Sequence, residues 1–198
     1  GDNLKECILK YSVDWGYGDE FEKWIETENH FTNTLVDRIV TGYPRDNAKE
    51  MEQSYGYLDD MIDTAEIFHL WVIEGDKKLA EEIPFHKIGL NVLWTDDVTP
   101  YKKRKVRILN GAHTMTVLAA HLVGLETVKD AMDDELVFSF MKQGIFEEII
   151  PTLDLPKNEL EQFANDVIER FKNPFIKHYL LSIALNSVSK YKVRVLPS

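Results

Sequence analysis

The chain has 198 residues, 44% hydrophobic and 11% aromatic, with a formal net charge of −11. That length admits one large domain or the adjoining parts of two, and the apolar content can bury a core. The charge excludes a general nucleic-acid surface, which needs a basic stripe; the single cysteine, Cys7, excludes an internal disulfide and suits a reducing cytoplasm; and no apolar run approaches the roughly 20 residues of a membrane span.

From the N-terminus, residues 1–32 predict two helical stretches about a Gly16-Tyr-Gly18 turn, with Trp15, Phe21, Trp24 and Ile25 as the apolar face. No secretion leader is visible at this start. Thr34 to Val40 is short and β-branched, bounded by Asn33 and by Gly42-Tyr-Pro44, and predicts a strand. Residues 45–60 are polar and predict loop and helix. Ala65 to Glu74 predicts a strand around Leu70-Trp-Val-Ile73, and Asn91-Val-Leu-Trp94 a further short one. Beyond Pro100 the spacing becomes helical over Tyr101–Leu122, Thr127–Lys142, Ile145–Ile150, Lys157–Phe171 and Pro174–Ser187. Pro151, Pro156 and Pro174 punctuate these stretches, with Asn173-Pro174 as a helix start. The expected class is mainly α with a few short strands, an α/β portion over 1–98 being followed by a helical domain over 99–198.

Chemistry concentrates in Lys105-Val-Arg-Ile-Leu-Asn110-Gly-Ala-His113. On an α-helix of about 100° per residue, Asn110 lies roughly 140° and His113 roughly 80° from Lys105. An amine, a carboxamide and an imidazole then converge on one side, while Val106 and Leu109 turn to the other. Reduction of a carbonyl needs such a set: a proton donor for the new alkoxide and fixed donors for its charge. A lysine acting as general acid needs its pKa lowered from about 10.4 by desolvation or neighbouring cations. Lys102, Lys103, Arg104 and Arg107 are near in sequence. The bland readings are a solvated lysine, a solvated basic edge at Lys103 and Arg104, and a core histidine. His113 and His121, eight apart, do not make a zinc pattern, so no metal site is expected.

Asp37 and Arg38 follow the first strand and open a loop, the end at which α/β domains gather ligands. A purely structural network that fixes the loop is the competing reading. Gly16-Tyr-Gly18 is followed by Asp19-Glu20-Phe21, which lacks the third glycine of a dinucleotide fingerprint, and no Walker-type loop is present.

Asn33-Thr-Leu-Val-Asp37-Arg38-Ile-Val, Trp71-Val-Ile-Glu74, and the run from Asp97 through Pro100 to His113 occur in the order seen in long-chain mannitol dehydrogenases. Over nearly all its length the chain resembles that family, whose mark is a Lys, an Asn five residues on and a His three further; Lys105, Asn110 and His113 fit. Asp37-Arg38-Ile-Val-Thr-Gly-Tyr-Pro44 and Phe68-His-Leu-Trp71-Val-Ile-Glu74-Gly look most like the tagaturonate reductase branch. Fructuronate reductases and polyol dehydrogenases are other branches.

The resemblance implies that 1–98 is the C-terminal part of an α/β nucleotide-binding domain and 99–198 a helical C-terminal substrate domain. It implies an internal piece of a longer enzyme, with the nucleotide fingerprint upstream, NAD as cofactor and a small sugar acid as substrate, interconverting D-tagaturonate and D-altronate. Lys105 would be the general acid of reduction and the base of oxidation. Asn110 would donate to the oxygen that becomes alkoxide, and His113 would hold a neighbouring hydroxyl. Asp37 would stand at the substrate and cofactor crevice. Lys190 matches a substrate-binding lysine in a pattern usually read Asp-Gly-Ser-x-Lys, here with Asn186, Ser187 and Val188; an arginine of the mannitol branch is Ser182. Arg194, four residues beyond Lys190 on a helical face, is a candidate to grip a carboxylate, against the reading of a surface pair. A helical binding or assembly module without catalysis is the alternative from another class.

Overall fold

The computed structural model describes all 198 residues. In chain order the elements are α1 (Asp2–Trp15), α2 (Asp19–Glu28), β1 (Thr34–Asp37), β2 (Val40–Gly42), α3 (Ala48–Tyr55), β3 (Thr64–Ala65), β4 (Leu70–Glu74), α4 (Leu79–Glu82) and β5 (Val92–Thr95). Then come α5 (Thr99–Arg104), α6 (Gly111–Leu122), α7 (Val128–Asp133), α8 (Glu135–Gln143), α9 (Lys157–Phe171), α10 (Leu180–Ala184) and α11 (Ser187–Arg194). No helix is long and apolar enough to cross a membrane.

The chain forms two compact units, residues 1–37 with 69–99, and residues 38–68 with 100–198. In the first, β4 is the central strand of a three-stranded sheet, antiparallel to β1 and parallel to β5. Burial on β1 alternates, Leu35 and Asp37 in, Thr34 and Val36 out, as a half-buried strand requires. Central β4 buries Val72 and Ile73. Its last residue, Glu74, accepts from Asn33 Nδ2 at 3.2 Å and from the Val98 N–H at 2.8 Å, tying both strand ends together. Gly16 (φ 71°) closes α1 in the left-handed region, where glycine carries no Cβ penalty.

Of the apolar face expected on the first two helices, only Ile25 is buried. Trp15 and Trp24 are exposed and belong to an aromatic ladder, Tyr11–Trp15–Tyr17–Phe21–Trp24, whose successive rings lie 4.9–6.2 Å apart. The helical period is real, but this face is not covered.

The strand expected over Thr34–Val40 is two strands in two sheets, because Ile39 leaves for the core of the second unit. The strand expected over Ala65–Glu74 divides in the same way at 66–69. Between those breaks, residues 38–68 are pinned to the helical unit by Glu66. Its carboxylate is 3% exposed and accepts from the Ile39 N–H (2.6 Å) and from Arg170 Nε and Nη2 (3.0 and 2.7 Å). The Arg170 guanidinium also lies over Phe68, 4.2 Å from the ring centroid. Paired planar groups of this kind satisfy a buried charge that would otherwise be costly.

Helices dominate the second unit. Leu160, Phe163, Ala164, Val167, Ile168 and Phe171 bury one stripe of α9, as the 3.6-residue period predicts. Thr127 and Asp130 form a reciprocal capping box on α7, and Asp134 caps α8, dividing the helix expected over Thr127–Lys142. The helix expected from Pro174 to Ser187 is largely absent. Asn173 Oδ1 instead accepts from the Phe175 N–H, and an extended segment follows, bonded to residues 126–128 by Val128 N–H to His178 O and Leu180 N–H to Glu126 O, both 2.9 Å, about an isolated antiparallel bridge between Thr127 and Tyr179. Only α10 is helical there, and Asn186 (φ 60°) breaks it from α11; asparagine tolerates that left-handed conformation better than most residues.

Candidate active site

Thr99 to Leu122 is one continuous helical run whose middle, Lys105–Asn110, is a π-helix. This corrects the α-helical wheel. With i→i+5 bonding, residues five apart sit about one turn apart on the same side, so the Lys–Asn spacing of five matches the π period. Ile108 and Leu109 are buried behind this turn, with Ala112 following, and they fix its opposite face against the core.

His113 enters one turn later on α6. It is 7% exposed, stacked on Phe171 (centroids 4.2 Å apart, planes 13° apart) and edge-on to His178 at 5.1 Å. Burial first, then His178, Arg194, Arg170 and Lys105, hold its pKa well below the usual imidazole value. The ring is therefore neutral, and its buried Nε2 has no hydrogen-bond partner. Leaving a buried polar atom unmatched costs about 1–3 kcal/mol, which makes this atom a candidate to meet a ligand hydroxyl. His178 is itself pushed down to about 4 by burial.

Helix α11 brings both of its expected residues to this region. The Thr114 hydroxyl donates to the Asn110 carbonyl at 2.7 Å and accepts from Arg194 Nη1 at 3.4 Å, which puts the guanidinium over the Asn110–Thr114 turn. Arg107 Nη1 donates to the Val193 carbonyl at 3.1 Å and holds that helix end in place. Lys190 Nζ donates to the Ile183 carbonyl at 2.7 Å; burial and then Arg194 lower its pKa. Burial lowers that of Arg194 as well.

Five of the expected site residues, Lys105, Asn110, His113, Lys190 and Arg194, thus share the second unit. Asp37 belongs to the first, 1% exposed at the end of β1 and registered opposite Leu70. Arg38 takes a structural part, donating from Nε to the Glu66 carbonyl at 2.9 Å. Arg104 is not the solvated edge expected of it: its guanidinium lies over Phe163 at 4.6 Å and Tyr101 at 5.7 Å. Sequence reasoning missed Thr114, Arg170, Phe171 and His178, which touch or polarise the site from later elements and carry no local spacing signal.

The mannitol dehydrogenase C-terminal domain model matches residues 97–198, and the mannitol dehydrogenase Rossmann domain model matches residues 1–87. The chain belongs to the mannitol dehydrogenase family.

Among its relatives, the altronate oxidoreductases of Enterobacter sp. (strain 638) and Shigella flexneri are 55% and 54% identical over 197 residues. These alignments cover all of this chain and 41% of each relative, so the chain spans under half the length of the curated relatives it matches. A crystal structure of D-sorbitol dehydrogenase in substrate-free form is 34% identical, with a TM-score of 0.79 over 96% of this chain and 39% of that one. The Pseudomonas fluorescens mannitol 2-dehydrogenase, in ternary complex with NAD and D-mannitol, is 25% identical, with a TM-score of 0.72 over 95% and 37%.

A Rossmann domain of the mannitol dehydrogenase family implies a dinucleotide. The Gly16–Gly18 turn does not fit its pyrophosphate, because Asp19, Glu20 and Glu22 occupy the first turn of α2 where the phosphates would lie.

Proposed function

We propose that Lys105, Asn110 and His113 form the acid–base part of an NAD-dependent oxidoreductase that interconverts D-tagaturonate and D-altronate. What carries this reading is the 54–55% identity to altronate oxidoreductases across the whole chain, which includes the π-turn residues. In such a reaction the nicotinamide supplies or takes the hydride. This chain supplies the proton chemistry.

In the reducing direction, Lys105 Nζ gives a proton to the carbonyl oxygen as that oxygen gains charge; in oxidation the amine takes the proton back. The Asn110 carboxamide, one π turn along, donates a hydrogen bond to the same oxygen and stabilises it most when it is most anionic. Neutral His113 offers Nε2 to an adjacent hydroxyl, matching an atom that otherwise lacks a partner. Lys190 and Arg194 add positive charge beside the reacting end and favour the alkoxide. Asp37 is assigned to the substrate side on resemblance alone. The exposed, unpaired Cys7 suits a reducing cytoplasm.

The test is NADH oxidation by the full-length protein with tagaturonate, fructuronate and fructose. Tagaturonate should be fastest; a clear preference for fructose would overturn the sugar-acid assignment in favour of a polyol dehydrogenase. Lys105→Ala should lower turnover by about two to four orders of magnitude, and Asn110→Ala by about one hundred- to one thousand-fold. A Lys105→Ala protein keeping more than about a tenth of wild-type turnover would remove the general-acid role.

A further inference from the structure

Helix α11 carries both Lys190 and Arg194, and its last turn is fastened to the helical run that bears the candidate site. In a helix continuing past Arg194, the Val193 carbonyl would accept from the N–H of residue 197. Residue 197 is a proline and has none. Arg107, inside the π turn, supplies the missing donor, its Nη1 lying 3.1 Å from that carbonyl. A guanidinium placed there also faces the negative end of the helix dipole.

A second fastening lies seven residues further along the run, at Thr114. This side chain is buried, and its hydroxyl is committed on both sides: it donates to the Asn110 carbonyl at 2.7 Å and accepts from Arg194 Nη1 at 3.4 Å. A threonine that bonds back to residue i−4 ordinarily weakens its helix slightly. Here the bond goes to Asn110, whose carboxamide is the proposed donor to the alkoxide. Between the two fastenings, Gly111 lets the backbones lie close. A Cβ there would stand 3.7 Å from the Arg194 carbonyl and 3.4 Å from Ile149 Cδ1. One attachment leaves a pivot, whereas two fix both the distance and the rotation of α11 over the π turn. The Arg194 charge that they hold is felt at His113 and at Lys190, where it adds to the effect of burial.

We propose that Arg107 and Thr114 are positioning residues, which clamp α11 so that the Arg194 guanidinium stands beside the oxygen that Lys105 protonates. The inference rests on the sugar-acid reading above and adds to it two residues that act through Arg194. Arg107→Met and Thr114→Val, each in the full-length protein, should lower kcat/KM for D-altronate about three- to tenfold, the net worth of one hydrogen bond. The KM for NAD should not change. Thr114→Ser, which keeps the hydroxyl, should restore most of the loss, and Arg107→Lys part of it. Both removals together should cost more than the product of the single effects, because either fastening partly holds α11 without the other. In an Arg194→Ala background, Thr114→Val should cost less than about twofold, since the hydroxyl then has no guanidinium to place.

The Arg107 bond lies near the surface, so Arg107→Met tests the clamp without disturbing the core. Calorimetric titration with D-altronate, alongside the assay, separates this inference from the one beneath it. A wild-type protein that neither binds nor oxidises altronate would overturn the substrate reading and this assignment together. A wild-type protein that oxidises altronate, with Arg107→Met and Thr114→Val both within about twofold of it, would overturn the clamp alone. Equal Thr114→Val losses in the wild-type and Arg194→Ala backgrounds would overturn it as well, showing Thr114 to serve the packing of α6.

Discussion

The two compact units differ in how completely they bury their own apolar surface. The single large buried cluster, from Ile39 and Ile108 through Phe171 to Ile183, lies wholly in the second unit. The first unit buries a handful of side chains, Ile25, Leu35, Val72 and Ile73 among them, and leaves Tyr11, Trp15, Tyr17 and Trp24 exposed. Hydrophobic stabilisation scales with the apolar area taken out of water, so the second unit holds most of the stability these residues provide. The proposed proton chemistry sits on that better-buried scaffold, as a precisely positioned donor set requires.

This contrast can be broken at its strongest point. Glu66→Ala leaves the Arg170 guanidinium, 9% exposed, without its carboxylate. Removing one partner of a buried pair should destabilise the second unit by about 3–5 kcal/mol. All four tryptophans belong to the first unit, so tryptophan emission reports that unit, while far-UV circular dichroism is dominated by the more numerous helices of the second. In denaturant titrations the Glu66→Ala loss should appear in the helical signal; a helical midpoint equal to wild type would mean that Glu66 does not anchor residues 38–68.

Acid should act on the same unit with a smaller effect. His178 has a folded pKa of about 4 against 6.5 when unfolded, and that of His113 is also depressed. Between those values the unfolded chain binds the extra protons, so stability is complete above about pH 6.5 and falls as the pH drops toward 4. For His178 the loss is about 2–3 kcal/mol across that window. His178→Gln should flatten the pH dependence of the helical unfolding midpoint, and an unaltered slope would discard the buried-histidine account. The smallest effect is expected on the open face of the first unit. Trp15→Ser, at a side chain 68% exposed, should change stability by no more than about 0.5 kcal/mol, measured in the same titrations. A loss above about 2 kcal/mol would mean that the ladder is covered in the protein as it exists in solution.

The same contrast separates what the sequence reveals from what it hides. The α9 stripe, the α1–α2 turn and the core of β4 follow from period and turn chemistry, both local. The division of the two expected strands does not. It depends on Ile39 and Glu66 reaching Arg170, 104 residues beyond Glu66. Likewise the segment after Pro174 takes its form from pairing with residues 126–128, which overrides its helical spacing. At the candidate site Lys105, Asn110 and His113 were legible as a motif, but their mutual direction was not, because an α-helical wheel misplaces residues on a π turn. Arg170, Phe171 and His178 were hidden because each meets His113 only through tertiary packing.

The π turn also bears on ancestry and on tolerance of length change. A π segment inside an α-helix equals an α-helix that has gained one residue by insertion, with the surplus absorbed as a wider loop of backbone. Deleting Val106 would let the run return to ordinary α bonding with its downstream half unmoved, because buried Ile108, Leu109 and Ala112 anchor that half in the core. Lys105 and Asn110 would then stand four apart on an α-helix, about 40° from one another and still on one face. A lineage that lost that residue would keep its helix, its core and the shared face of amine and carboxamide, so this stretch should tolerate loss of one residue better than the α-helical turns on either side of it.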